Sequence, residues 1–313
     1  MQDFFRARLV LTVGTPLSYC AAWLLAKAGG LQLDLQDTII AVLFVGFYTI
    51  VLSILATRFK LPTFRAVVEC LGCGFLLIVP ITLSTYIAMR MDLPVADQQL
   101  SQWDSWLGVD WPALMMWVDQ HSLLAAAFNQ AYRTFSYQLL LWPLILIVAG
   151  RSNRAYQMVG AYGLLCFIAS AISTLWPAVG TYSFYQFDPN KLHNIDSTYG
   201  YFFLQQFHAV RDDPTFVWSL AKSAGILTFP SVHAAVATLC AWAAWEIRLL
   251  RYPGLALNVT MALSAVPDAN HYVIDVIIGC LVGLAAIAMI VSITKPRKEA
   301  AGLTVSLPVA GSN

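Results

Sequence analysis

The chain has 313 residues, of which 59% are hydrophobic and 11% charged, with a mean hydropathy of +0.67. Those values exclude a soluble domain and predict an all-α, multi-pass integral membrane protein. A formal net charge of +1 offers no field for a polyanion, and no nucleotide loop or nucleic-acid motif is present, so no nucleic-acid partner is expected.

In chain order, mostly apolar windows of about 18 residues or more predict about eight spans, at 9–26, 38–56, 66–89, 123–149, 158–176, 231–247, 255–266 and 271–293. Arg6 and Arg8 before the first window, and Ala26-Lys27-Ala28 after it, also fit a cleaved signal peptide. Pro16 and Tyr19 make a poor signal core, and the segment is read as a retained span. All six cysteines fall inside predicted spans, where a small polarizable side chain packs well. Cys70 and Cys73 match a redox or zinc pair only in spacing, so no metal or cofactor is expected.

Cytoplasmic loops collect Lys and Arg, which orients the spans. With the N-terminus inside, the inner segments hold Arg6, Arg8, Arg58, Lys60, Arg65, Arg151, Arg154, Arg248, Arg251, Lys295, Arg297 and Lys298, while the opposite loops hold most of the aspartates. Both termini are then cytoplasmic. Glu69 and Glu246, near inner helix ends, are expected to snorkel.

Two long segments lie on the outer side. Residues 92–122 mix acids with Trp103, Trp106, Trp111 and Trp117, the composition of an interfacial helix or cap, or of a lid over lipid access. Residues 177–229 are rich in Tyr and polar side chains and hold Arg211 and Lys222. Arg133, Tyr137 and Gln138 near the outer part of the fourth span are candidates for a substrate cavity. Gly279-x3-Gly283 predicts close helix packing. Asn258-Val259-Thr260 fits a glycosylation sequon but sits at an inner helix end.

Two of only five histidines open the last apolar runs, His233 in Phe229-Pro230-Ser231-Val232-His233 and His271 in His271-Tyr272-Val273-Ile274-Asp275. Topology puts both at the outer, periplasmic or lumenal face. Proline suits a helix start, and the amides of Ser231, Val232 and His233 would then point outward at the positive end of the dipole, ready for a phosphate. Asp275 lies one turn after His271, where a carboxylate holds the imidazole tautomer. An ionisable group inside a span is a functional candidate.

Pro230-Ser231-Val232-His233, then Ser264, His271 and Asp275 at their spacing, is similar to the second and third signature motifs of the type 2 phosphatidic acid phosphatase superfamily, Pro-Ser-Gly-His and Ser-Arg-x5-His-x3-Asp. Val232 replaces the glycine, Ala265 replaces the arginine, and no Lys-x6-Arg-Pro first motif is found. Phe-Pro-Ser-x-His, His-Tyr-x2-Asp and Trp176-Pro177-Ala178-Val179-Gly180 look more like the inositol phosphorylceramide synthase and sphingomyelin synthase branch. The resemblance implies a six-helix phosphatase-like core and an enzyme without a metal. His271 would be the nucleophile that becomes a phosphohistidine, Asp275 would orient it, and His233 would act as acid and base. Ser231 would hold phosphate oxygens. Arg211, then Lys222, would stand in for the missing cations.

The expected organisation is three N-terminal spans (1–91), an interfacial segment (92–122), a catalytic membrane core (123–294) and a cytoplasmic tail (295–313) expected to be disordered. The expected function is movement of a phospho-headgroup between lipids, with a phospholipid or lipid phosphate as substrate and a lipid alcohol as a possible acceptor. The alternatives are hydrolysis of a lipid phosphate and non-catalytic lipid binding.

Overall fold

A backbone without water must satisfy its own amides and carbonyls, so long uncharged runs fold as helices. The computed structural model describes residues 2–295; of the expected tail, residues 296–313 lie outside the described residues. The first helices are α1 (Gln2–Ala28), α2 (Gln36–Arg58) and α3 (Pro62–Arg90). Then come α4 (Asp97–Trp106), α5 (Trp111–Gln120), α6 (Ser122–Arg133), α7 (Phe135–Val148) and α8 (Ser152–Leu175). Short helices α9 (Thr181–Phe184), α10 (Thr198–Tyr201) and α11 (Leu204–Asp212) lead to α12 (Val232–Ala244), α13 (Arg251–Asp268) and α14 (Val273–Thr294).

Among the described residues five helices, α1, α2, α3, α8 and α14, are long and apolar enough to cross a membrane, or six if α6 and α7 form one span bent by 55°. The protein is an integral membrane protein. The break in the fourth window falls at Thr134, whose hydroxyl donates to the Ala131 carbonyl at 2.7 Å, a bond that bends helices. The sixth and seventh windows are also helical, but α12 has only 13 residues, about 20 Å of rise against a hydrocarbon core of about 30 Å. It stands at the centre of the bundle, packed on α14, α13, α8 and α7. By contrast α2 packs chiefly on α3 and turns Phe44, Phe47, Ile50 and Ile54 outward.

Close packing of α14 on α12 follows the glycine pair. A Cβ at Gly279 would collide with the Ser231 carbonyl, and one at Gly283 would meet the Ala235 carbonyl at 2.6 Å. Only small residues allow such an approach.

The connections gather at two ends. At one, a two-residue parallel ladder pairs Gln32 with Val217 and Leu33 with Trp218, and α4 lies against the start of α14. At the other, Arg154 bonds Glu246 at 2.6 Å, with Arg151 at 3.6 Å. Glu69 does not snorkel: it is 2% exposed and accepts from Nε and Nη2 of Arg8 at 2.7 Å, from Ser53, and from Tyr156 at 2.6 Å. Four helices share that one carboxylate, so its burial is compensated by hydrogen bonds from every side.

Segment 92–122 is two helices, and its tryptophans divide. Trp106 is 79% exposed, whereas Trp111 is fully buried and stacks on Tyr185 at 5.4 Å. The sequon is closed to modification, since Asn258 is buried and donates to Gln138 and to the Gly254 carbonyl.

Candidate active site

The starts of α12 and α14 meet. The Ser231 amide donates to the Asp275 carbonyl at 3.1 Å, which locks the entrance of α12 to that of α14. Ser231 is the N-cap of α12, and its hydroxyl oxygen accepts from the Ala234 amide at 3.3 Å. Pro230 precedes that cap, so the expectation of three outward amides needs correction. The Ser231 and Ala234 amides are occupied, while those of Val232 and His233 carry no hydrogen bond. Two donors remain at the positive end of α12.

His271 stands in the short connection before α14, 4% exposed. Asp275 Oδ2 lies 3.1 Å from its Nδ1 and 3.0 Å from the Tyr272 amide. The i,i+4 spacing delivers this pair because His271 and Asp275 flank the first turn of the helix. With Nδ1 as the donor to a carboxylate, Nε2 carries the lone pair. The Thr228 carbonyl lies against the same ring. Asp275 Oδ1 is buried without a partner.

His233, in the first turn of α12, stacks on Tyr132 with ring centres 4.2 Å apart and planes 15° apart, and touches Phe135 at 4.4 Å. Both histidines line one cavity of about 430 Å³ with Tyr132, Tyr199, Thr82, Thr85 and Ser223. Among the described residues that line it there is no Lys or Arg.

Arg211 and Lys222 are not brought to that cavity. Arg211 bonds Asp92 at 2.8 Å and the Leu93 carbonyl at 2.8 Å, and its guanidinium rests on Phe207. Lys222 is exposed at the end of a 3-10 turn. Arg133 pairs with Asp196 at 3.2 Å, Tyr137 lines a separate apolar cavity, and Gln138 is held among Thr134, Trp142 and Asn258. The other histidines, His121, His193 and His208, are exposed.

Three residues close to the histidines escaped notice in the sequence. Asp104 is fully buried and accepts from the Val273 and Ile274 amides at 2.9 and 2.8 Å. Asp97, seven residues earlier on α4, accepts from the Val179 and Gly180 amides and from the Tyr272 hydroxyl at 3.1 Å. Burial raises both carboxyls above the ordinary carboxylate range, against the pull of the amides they hold. Two acids seven residues apart, flanking Leu100, were the available signal. Asn270, beside His271, takes a left-handed backbone at φ +67°. Its side chain bonds the Tyr182 amide and the Val179 carbonyl. Gly180 makes that contact possible, having φ +85° and no Cβ to strike the Asn270 side chain.

A family model described as the PAP2 superfamily matches residues 98–289, more than half of the chain, from the start of α4 into α14. No curated protein and no solved structure gives a match.

Proposed function

Because the chain belongs to the PAP2 superfamily, and is thus a phosphatase or phosphotransferase type of enzyme acting on lipid phosphates, we propose that it moves a phospho-headgroup between lipids through a phosphohistidine on His271. The observation that carries this reading is a single cavity holding two imidazoles and no Lys or Arg among its described lining residues. A phosphomonoester brings nearly two negative charges and calls for arginine forks; a phosphodiester brings one, which two helix amides and hydroxyl groups can meet. The motif resemblance to the inositol phosphorylceramide synthase and sphingomyelin synthase branch supports transfer over hydrolysis.

In this reading Nε2 of His271 attacks phosphorus, the bond from phosphorus to the leaving oxygen breaks, and protonated His233 gives that oxygen its proton. The acceptor hydroxyl then attacks the phosphohistidine while neutral His233 takes its proton, the P–N bond breaks, and both rings return to their starting forms. Asp275 holds the His271 tautomer and balances the positive charge that develops on the ring. The amides of Val232 and His233, with Ser231 capping the same turn, face the non-bridging oxygens. The histidine end is assigned to the periplasmic or lumenal face and both termini to the cytoplasm, since Arg8, Arg151 and Arg154 gather at the opposite end.

The test incubates purified protein in nanodiscs with labelled phosphodiester and phosphomonoester lipids, with and without ceramide, diacylglycerol or inositol. A new phospholipid that disappears in His271→Ala supports transfer. Free phosphate from phosphatidic acid, in large excess over any transfer, replaces it with a phosphatase. Lipid retained unchanged by wild type and His271→Ala alike leaves a non-catalytic binder.

A further inference from the structure

We propose that Asp104 on α4 is a positioning residue for the nucleophilic pair, keeping the Asp275 carboxylate on His271; the inference rests on the phosphohistidine reading above. The first amides of a helix have no acceptor within it. At α14 the Tyr272 amide goes to Asp275 Oδ2, and the next two, Val273 and Ile274, go to the two oxygens of Asp104. These two amides lie between His271 and Asp275, and the acid that holds them comes from a helix 169 residues away in sequence.

The arrangement divides the work of two carboxylates. Asp275 has the local position from which a side chain ordinarily caps its own helix, yet its Oδ2 is shared with His271 and its Oδ1 is buried without a partner. Without Asp104, the Val273 and Ile274 amides would be orphaned donors, and Asp275 is the neighbouring carboxylate with an unpartnered oxygen. Turning toward them takes its other oxygen from the ring. Asp104 removes that competition, and Asp97 secures the same turn through the Tyr272 hydroxyl.

The experiment compares Asp104→Asn with Asp119→Asn in nanodiscs. Asp119 is a second buried carboxylate that clamps backbone amides, those of His193, Asn194 and Ile195, away from His271. Two readouts are used, the ¹⁵N signals of the His271 ring and the separate values of kcat and KM. Asp104→Asn is expected to shift the ring from one tautomer to a mixture and to lower kcat by about 10- to 100-fold with KM within about threefold. Asp119→Asn is expected to lower the melting temperature and leave ring and kcat unchanged. If Asp104→Asn does not fold, Asp104→Glu keeps the charge but displaces the carboxylate by one methylene from the Val273 and Ile274 amides it holds. It should shift the ring signals in the same sense by a smaller amount. Unchanged ring signals in a folded Asp104→Asn or Asp104→Glu protein, or equal effects from Asp119→Asn, overturn the assignment. Should wild type turn over no lipid, the functional reading falls while the ring signals still decide the role of Asp104.

Discussion

Asp275→Asn separates charge from geometry at the proposed nucleophile. Asp275 Oδ2 serves both His271 Nδ1 and the Tyr272 amide, while Oδ1 faces no partner. An asparagine with its carbonyl oxygen in the Oδ2 position keeps both bonds and the His271 tautomer, and its NH₂ takes the unpartnered place. The fold and the orientation survive, and only the negative charge beside the His271 imidazole is lost. Replacing a charged by a neutral partner in a buried site costs about 3 kcal/mol. At 1.36 kcal/mol per decade, that is a fall in kcat on the order of 100-fold. Initial rates of headgroup transfer in nanodiscs, with lipid saturating, measure it against wild type and His271→Ala. A kcat within about threefold of wild type refutes the role given to Asp275. A loss as deep as that of His271→Ala refutes the geometry, because it means the asparagine has turned its NH₂ to the ring, the wrong-tautomer outcome known to cost about 10⁴ in rate.

Other substitutions test the surroundings. Gly279→Ala drives a Cβ into the Ser231 carbonyl, and relief by a backbone shift should lower stability by about 1–3 kcal/mol and move Ser231 and His233 from His271; thermal unfolding and kcat should fall together. Gly180→Ala combines strain at φ +85° with a collision on Asn270, so the melting temperature should drop, and an unchanged one would remove Gly180 from the support of the His271 turn. Asp119 has a carboxyl that burial pushes up but that the Asn194, His193 and Ile195 amides bring below the ordinary value. A lowered folded pKa stabilises above the unfolded value and is lost as pH falls through the folded one. Asp119→Asn should therefore be less stable than wild type at pH 7, the two converging below about pH 4, as a denaturation series across pH would read.

Much of the site was legible because its signals are local. Helical spacing put Asp275 one turn from His271, and the structure joins them at 3.1 Å. Gly279 and Gly283 announced close packing of the last helix, and the structure shows α12 to be the partner. Where a residue's partner is distant in the chain, spacing was silent or misleading. Arg211 looked like a phosphate cation and is held by Asp92. Glu69 looked like a snorkelling acid and is enclosed by Arg8, Ser53 and Tyr156.

By itself, then, the sequence determined the solvent, the helical class, most helix positions and the pairing of His271 with Asp275, since hydrophobicity and i,i+4 geometry act over a few residues. The tertiary structure alone decided which side chains enclose the two imidazoles, that no cation is among the described residues lining their cavity, and that Asp104 and Asp97 hold the turn of His271. Those contacts exist only once α4, α12 and α14 have packed, because a buried carboxylate is stable only where another part of the chain brings it donors.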